Sequence, residues 1–392
     1  MYGRMMAAAA ATMLLASPAL AQDKIKIGFL TTLTTPAAII GEDQRKAVEL
    51  ALDHMGRKMG KLDVEIVYAD DEFNPQKGKQ ATEKLVTSDK VDIVDGYLWS
   101  NVLLAAAPVV LDADKILISA NAGPSQLAGK DCHPNFFNVS WQNDQTPMAM
   151  GELLNKKGVK SLYTISPNYA AGKDMVAGVK RTFKGAISGE DYTTWPAQMD
   201  WAAEFTKAKA AKPDGVFAFY PGAHGPAFLK QWEQAGLGVP LYTVYTIDSI
   251  ALPRLQQAGM KGIVGQVMTQ FWVQDLPNAQ NKRFVADFLA RHKVYPSFYA
   301  AQAYDSIFLI KAAVEAAGGL PKDAVTWRKA LRSAKWDSVR GKFKFGTNQF
   351  PVQDFWSLEI VADKDGNWTT KALEVVLKDH VDPSAPECKM PQ

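Results

Sequence analysis

Ile25-Lys26-Ile27-Gly28-Phe29-Leu30 decides the fold class. The run is rich in β-branched and aromatic residues and reads as a strand. It ends in the hydroxyl-rich loop Thr31-Thr32-Leu33-Thr34-Thr35-Pro36, and a helical pattern over Asp43 to Lys58 follows. A strand, a loop and a helix in that order open a β-α unit. The same succession repeats. Strand-like runs occur at Val64–Tyr68, Val91–Val94, Ile116–Ser119, Ser161–Ile165, Val216–Tyr220, Leu241–Tyr245 and Ile263–Met268. Several are continuously apolar rather than alternating, as strands covered on both faces must be. Helical patterns lie between them at Gln76–Val86, Pro147–Lys156, Lys173–Phe183, Trp201–Ala210 and Ala227–Gln234. Repeated β-α units predict an α/β fold with parallel sheets and right-handed crossovers.

The strand-like runs fall into two groups, before and after Phe136-Phe137-Asn138-Val139-Ser140-Trp141. Two similar sheets are therefore expected, and 392 residues suit roughly two domains. After Trp272 the pattern changes. Asn281–His292 and Ser297–Ala317 are successive helices, which would cover a sheet already laid down, and Gly341–Phe345 and Phe355–Val361 are late strands. The simplest packing places 24–141 plus 273–349 in an N-terminal lobe and 142–272 plus 350–378 in a C-terminal lobe. A tail, 379–392, completes the chain.

The residues before Asp23 read as an export signal. Arg4 is their one charge, Ala7 to Ala16 is almost wholly apolar, and Ala19-Leu20-Ala21 is a small-x-small cleavage pattern. A cut after Ala21 and a periplasmic location are expected, with a mature net charge of +2 (the formal +3 less Arg4). Basic and acidic residues are interspersed, so nucleic acid is not an expected partner. No later apolar stretch is long enough to span a bilayer. In an oxidising compartment Cys132 and Cys388, the two cysteines, read as one disulfide tying the tail to the middle of the chain. The chain-entropy limit for so long a loop is about 5 kcal/mol. A metal would need more soft ligands, and the five histidines show no ligand spacing. No metal or cofactor is expected.

Open parallel sheets bind ligands at the carboxyl ends of their strands. The loops there hold Tyr97, Trp99, Ser100, Asn101, Asn121, Ala122, Gly123, Tyr169, Ala223, Tyr245 and Asp248 as candidate ligand contacts. Hydroxyls, amides and aromatics dominate, and none of these loops contains Lys or Arg. An anion would then be held by hydroxyls and helix-start N–H groups, between flat apolar walls. A small carboxylate fits that inventory better than a phosphate ester. Catalysis finds little support: there is no Gly-x-Ser-x-Gly elbow, Walker loop or His-Glu-x-x-His helix. Asp70-Asp71-Glu72 reads as a solvated loop or a helix N-terminus, and His224 has no partnered nucleophile in the sequence.

Leu33-Thr34-Thr35-Pro36-Ala37-Ala38-Ile39-Ile40-Gly41 resembles the first-loop motif Leu-Ser-Gly-Pro-x-Ala-x-x-Gly of the leucine/isoleucine/valine-binding family of periplasmic receptors for ABC importers. Asp70–Pro75, Ser119–Pro124 and Pro167–Gly172 are similar to later landmarks in the family's order. The resemblance implies a type I periplasmic binding protein: two Rossmann-like lobes, a three-crossover hinge, a ligand in the cleft and an ABC permease as partner. A sensory receptor could share the fold. It also implies that Ser100 and Ala122, the latter through its backbone N–H, bind a ligand carboxylate, and that Tyr169 matches a cleft tyrosine. Amino-acid binders of the family place an acidic residue near Tyr245 to hold the ammonium, and Asp248 is the nearest substitute. Ser119–Ser125 and Ser140–Gln145 look closest to the branch that binds benzoate- and cinnamate-type acids. An aromatic carboxylate is the expected ligand, and a branched-chain or other amino acid the alternative.

Overall fold

Parallel pairing around one central strand organises the first half of the chain. The structure is a computed structural model that describes residues 24–390; the expected signal segment and its cleavage point lie outside the described residues. In the first half, β1 (Lys24–Thr31), α1 (Ala38–His54), β2 (Lys58–Met59), β3 (Leu62–Asp70), α2 (Pro75–Thr87), β4 (Ile93–Gly96), α3 (Ser100–Leu111), β5 (Leu117–Ser119), α4 (Ser125–Ala128) and β6 (Phe136–Asn138) follow in order. Their strands form one sheet in the order β2-β3-β1-β4-β5-β6. Ile27 pairs with Ile66 on one side and Ile93 on the other, both in parallel register. Ile25, Ile27, Phe29 and Leu30 are all fully buried, so the opening run is a central strand covered on both faces.

The second half repeats the plan: α5 (Gln145–Lys156), β7 (Ser161–Pro167), α6 (Ala170–Thr182), β8 (Ala186–Thr193), α7 (Ala202–Ala211), β9 (Gly215–Ala218), α8 (His224–Ala235) and β10 (Leu241–Thr243). These strands make a parallel sheet ordered β10-β9-β7-β8. A separate core of Tyr163, Ile165, Trp201, Phe205, Tyr220 and Phe228 fills one face of it. Next come α9 (Leu252–Gln257), β11 (Val267–Gln270), α10 (Ala279–His292), α11 (Phe298–Ala316), α12 (Ala324–Ser333), β12 (Lys344–Phe345), β13 (Pro351–Ala362) and β14 (Trp368–His380). Strands β11 and β14 flank β13 antiparallel, and this third sheet packs on α5. Helix α11 returns to pack along α1 of the first sheet.

Some elements differ from the sequence expectation. The Ile263–Met268 strand is a short 3-10 turn at Lys261–Ile263 followed by β11. Of Gly341–Phe345, Lys344–Phe345 alone is strand, because Gly341 turns back to Ser338 in an isolated bridge. Strands β8 and β14 and helices α9 and α12 were not foreseen. The disulfide joins Cys132 to Cys388 and brings the tail against the start of β6.

The chain passes between the two parallel sheets through segments around Ser140, Phe271 and Gln353, and one side chain touches all of them. The Arg340 guanidinium, 3% exposed, lies 3.1 Å from Asp305 of α11, whose side chain is 0% exposed. Its Nη1 donates to the Ser140 carbonyl at 3.1 Å and to Gln353 Oε1 at 2.9 Å. The Gln353 amide also donates to Ser140, at 2.8 Å. Phe271 and Phe343 present ring faces to the guanidinium at 5.5 and 4.9 Å. Removing one member of a buried ion pair strands the other's charge in the interior. Arg340→Met should therefore lower stability by about 3 to 5 kcal/mol, measured from urea-denaturation midpoints; a loss under about 1 kcal/mol would show that the network carries little.

Candidate functional site

Between the carboxyl ends of the two parallel sheets lies a tight cavity of about 20 Å³. The first sheet's loops contribute Leu98, Trp99, Ser100, Asn121 and Ala122; the second contributes Tyr169, Ala171, Met175, Phe219, Pro221 and Tyr245. Trp141 and Asn143 come from the first passage between the lobes, and Tyr299 from the start of α11. No charged side chain of the described residues is in that wall. A wider groove of about 990 Å³ is bounded by Arg283, Lys335, Trp336, Lys342 and Phe343. None of the loops that follow the parallel strands lines it, so it lacks the placement expected of a ligand site in this architecture.

Two helix starts meet at the cavity. Helix α3 begins at Ser100 and α6 at Ala170, and neither has a side-chain cap. Intrahelical bonding in α3 begins with Leu103, whose N–H donates to the Trp99 carbonyl at 2.9 Å. The N–H groups of its first turn, with their partial positive charge, thus end at the cavity beside the Ser100 hydroxyl. Asn143 steadies that hydroxyl: its amide donates to Ser100 Oγ at 3.1 Å and to Asp174 Oδ2 at 2.9 Å. Asp174 of α6 also accepts from the Ser125 hydroxyl at 2.8 Å and the Ser125 N–H at 3.1 Å. These bonds span the two lobes, and burial raises the Asp174 carboxyl above its ordinary range.

Aromatic rings close the remaining walls. Tyr245 stacks on Trp141 at 4.7 Å, and its hydroxyl is bonded to that of Thr146. Tyr169 stacks on Trp195 at 5.1 Å, while Phe73 contacts Trp99 at 4.2 Å and Trp195 at 5.4 Å. Rings from both lobes therefore touch across the cleft. Tyr97 and Tyr245 hold left-handed backbone, φ 64° and 55°. That is costly for a bulky residue and common at functional loops.

Of the residues expected from sequence, Trp99, Ser100, Asn121, Ala122, Tyr169 and Tyr245 line the cavity. Five do not. The Tyr97 hydroxyl turns into the core to bond Thr82 at 2.8 Å. Asn101 lies one residue into α3 and outside the wall. A side chain at Gly123 would strike the Trp141 carbonyl, a Cβ falling 1.9 Å from it, so this glycine serves close backbone approach. Ala223 precedes α8, and neighbouring Pro221 reaches the cavity instead. Asp248 caps its own loop, accepting from the N–H groups of Ile250 at 2.9 Å and Ala251 at 2.7 Å.

Two of the lining residues have polar groups already engaged within the protein. The Ala122 N–H donates to the Tyr97 carbonyl at 3.0 Å, so it is engaged within the protein. Asn121 likewise spends its side chain on the Leu98 carbonyl, at 2.6 Å, and on Gln302. His224 bonds the Pro196 carbonyl at 2.8 Å and packs on Trp195 at 4.5 Å. Sequence reasoning passed over Phe219 and Tyr299. Strand parity could have found Phe219: it alternates with Tyr220, which faces the second-lobe core.

Residues 24–367 match the family model described as periplasmic binding protein. The chain belongs to the periplasmic binding protein family. Its two parallel-sheet lobes are those of a type I member, and the family's proteins are solute receptors, not enzymes. The chain is 26% identical to Leu/Ile/Val-binding protein homolog 6 of Brucella abortus (strain 2308), over 93% of this chain and 94% of that one. A solute binding protein of an ABC transporter from R. palustris, solved with benzoate, is 30% identical with a TM-score of 0.85, covering 94% of this chain and 100% of the other. A second, from Rhodopseudomonas palustris BisB5 with 3,4-dihydroxy benzoic acid, is 27% identical with a TM-score of 0.83, covering 91% and 99%.

The site's acid chemistry makes one prediction. Burial pushes the Asp248 carboxyl from 3.8 up to about 7. The folded protein thus holds a proton that the unfolded chain releases. The resulting stabilisation is full below about pH 4 and is lost as pH rises through about 7. Asp248→Asn should shrink the fall in stability between about pH 6.5 and 8 by on the order of 1 kcal/mol. Urea midpoints at the two pH values measure it; equal falls in both proteins would contradict the assignment.

Proposed function

We propose that this protein is an exported, periplasmic receptor for a small aromatic carboxylate of the benzoate or hydroxycinnamate type, which it delivers to an ABC importer in the inner membrane. One observation carries the reading: the cavity wall offers an uncapped helix start, a hydroxyl and aromatic faces, with no charged side chain of the described residues among them. A carboxylate can be held there by the α3 N–H groups and Ser100. The ammonium of an amino acid would need a carboxylate partner, and Asp248 is committed to its own loop. The 30% identical benzoate complex supports the aromatic choice; the Leu/Ile/Val-binding names of other relatives supply the alternative.

In the proposed cycle the lobe of 24–141 plus 273–349 takes the carboxylate first. The lobe of 142–272 plus 350–378 then closes over the ring with Tyr169 and its neighbours. Ligand favours the shut form because contacts from both lobes exist only there. Thermal-shift assays of the purified protein should show stabilisation by benzoate or hydroxycinnamates and none by leucine; the reverse pattern would replace the aromatic acid with an amino acid. For whichever acid binds, Ser100→Ala should cost about 1 to 3 kcal/mol of affinity by calorimetry. Unchanged affinity would remove Ser100 from the carboxylate site.

A further inference from the structure

One chain of hydrogen bonds runs from the second lobe to the Ser100 hydroxyl, and the carboxylate at its far end sets its direction. Asp174 of α6 is buried. Its Oδ2 accepts the Ser125 N–H at 3.1 Å and its Oδ1 the Ser125 hydroxyl at 2.8 Å, so it is an acceptor toward the first lobe. The same Oδ2 lies 2.9 Å from the Asn143 amide nitrogen. A carboxylate only accepts, which turns the NH2 side of Asn143 toward it. That NH2 carries a second hydrogen, and Ser100 Oγ receives it at 3.1 Å.

The consequence falls on the Ser100 proton. A serine hydroxyl donates once and accepts up to twice. Here Oγ accepts from Asn143, and its own hydrogen makes no bond among the described residues. Ser100 is buried and lines the cavity, so that hydrogen remains for a ligand. Lone pairs are what a carboxylate oxygen presents to it. Were the Asn143 amide reversed, its carbonyl would take the proton and Ser100 would turn lone pairs toward the anion. The two ends of the chain belong to different lobes. Asn143 stays with the first, its N–H donating to the Gly123 carbonyl at 2.8 Å. Asp174 belongs to the second.

We propose, on the reading that the cavity takes a carboxylate, that Asp174 is a positioning residue. Through Asn143 it keeps the Ser100 hydroxyl a donor, and it does so only when the lobes are shut. An open form has lost the acceptor that orients the amide. Recognition of the anion and closure of the lobes are thus joined by one chain of bonds.

A double-mutant cycle read by calorimetric titration tests this, with benzoate and leucine as probes. In the wild-type background Asp174→Ala should weaken whichever acid binds about tenfold. In the Ser100→Ala background it should cost about threefold or less, because the hydroxyl it positions is gone. Ser125→Ala cuts a bond between the lobes and leaves the Asn143 chain whole, so it should cost the same factor in both backgrounds. Asn143→Leu breaks the chain at its middle and should repeat the Asp174→Ala pattern, which decides the matter if Asp174→Ala does not fold. Equal losses in the two backgrounds would make Asp174 a clamp between lobes and overturn the proposal. Binding of leucine in place of benzoate would overturn the aromatic-acid reading alone, and the cycle run on leucine would still decide this inference. Binding of neither would overturn both.

Discussion

An anion enclosed by protein without a counter-cation must be stabilised by dipoles already in place, because burial removes the water that would otherwise solvate it. On the carboxylate proposal, the cavity between the lobes would meet that constraint through the start of α3. Much of the surrounding structure serves to keep this helix end uncapped and aimed. The left-handed turn at Tyr97, φ 64°, delivers the chain to Ser100. The Trp99 indole donates to Thr32 at 2.8 Å and fixes the helix start to the first loop. Asn143 holds the Ser100 hydroxyl from the far side.

Holding a pocket between two bodies also requires that they keep their alignment. The Arg340 guanidinium links α11, the Ser140 segment, the Phe271 segment and Gln353. Its contacts are polar toward backbone and carboxylate and planar toward rings, a combination that a lysine ammonium would not reproduce. Burial opposes the charge of both Arg340 and Asp305, and each offsets that cost for the other. The pair sits where the chain changes lobes. At the opposite end, contacts of Trp99, Phe73, Trp195 and Tyr169 complete the enclosure.

The sheets were legible in the sequence wherever strands are buried on both faces, as at Ile25–Leu30 and Ser161–Ile165. They were not where one face meets water. In β8, burial alternates along Ala186–Thr193, and Ser188, Glu190 and Asp191 disguise the strand as a loop. In β14, Lys371, Glu374 and Lys378 do the same on the outer arm of an antiparallel pair. The site was half legible for a related reason. Trp99, Ser100 and Tyr169 stand in loops after strands, where topology alone predicts ligands. Tyr299 lies inside a helix whose evident task is to cover the first sheet, so nothing local marks it. The engaged N–H of Ala122 could not be foreseen either, since its partner, the Tyr97 carbonyl, depends on how one loop folds over another.

The most direct test is a crystal structure of the purified protein grown with benzoate. The account predicts the carboxylate at the first-turn N–H groups of α3 and the Ser100 hydroxyl, with the ring between Tyr169 and the Trp141–Tyr245 stack. A carboxylate gripped by a lysine or arginine, or a ligand seated outside the space between the lobes, would contradict it.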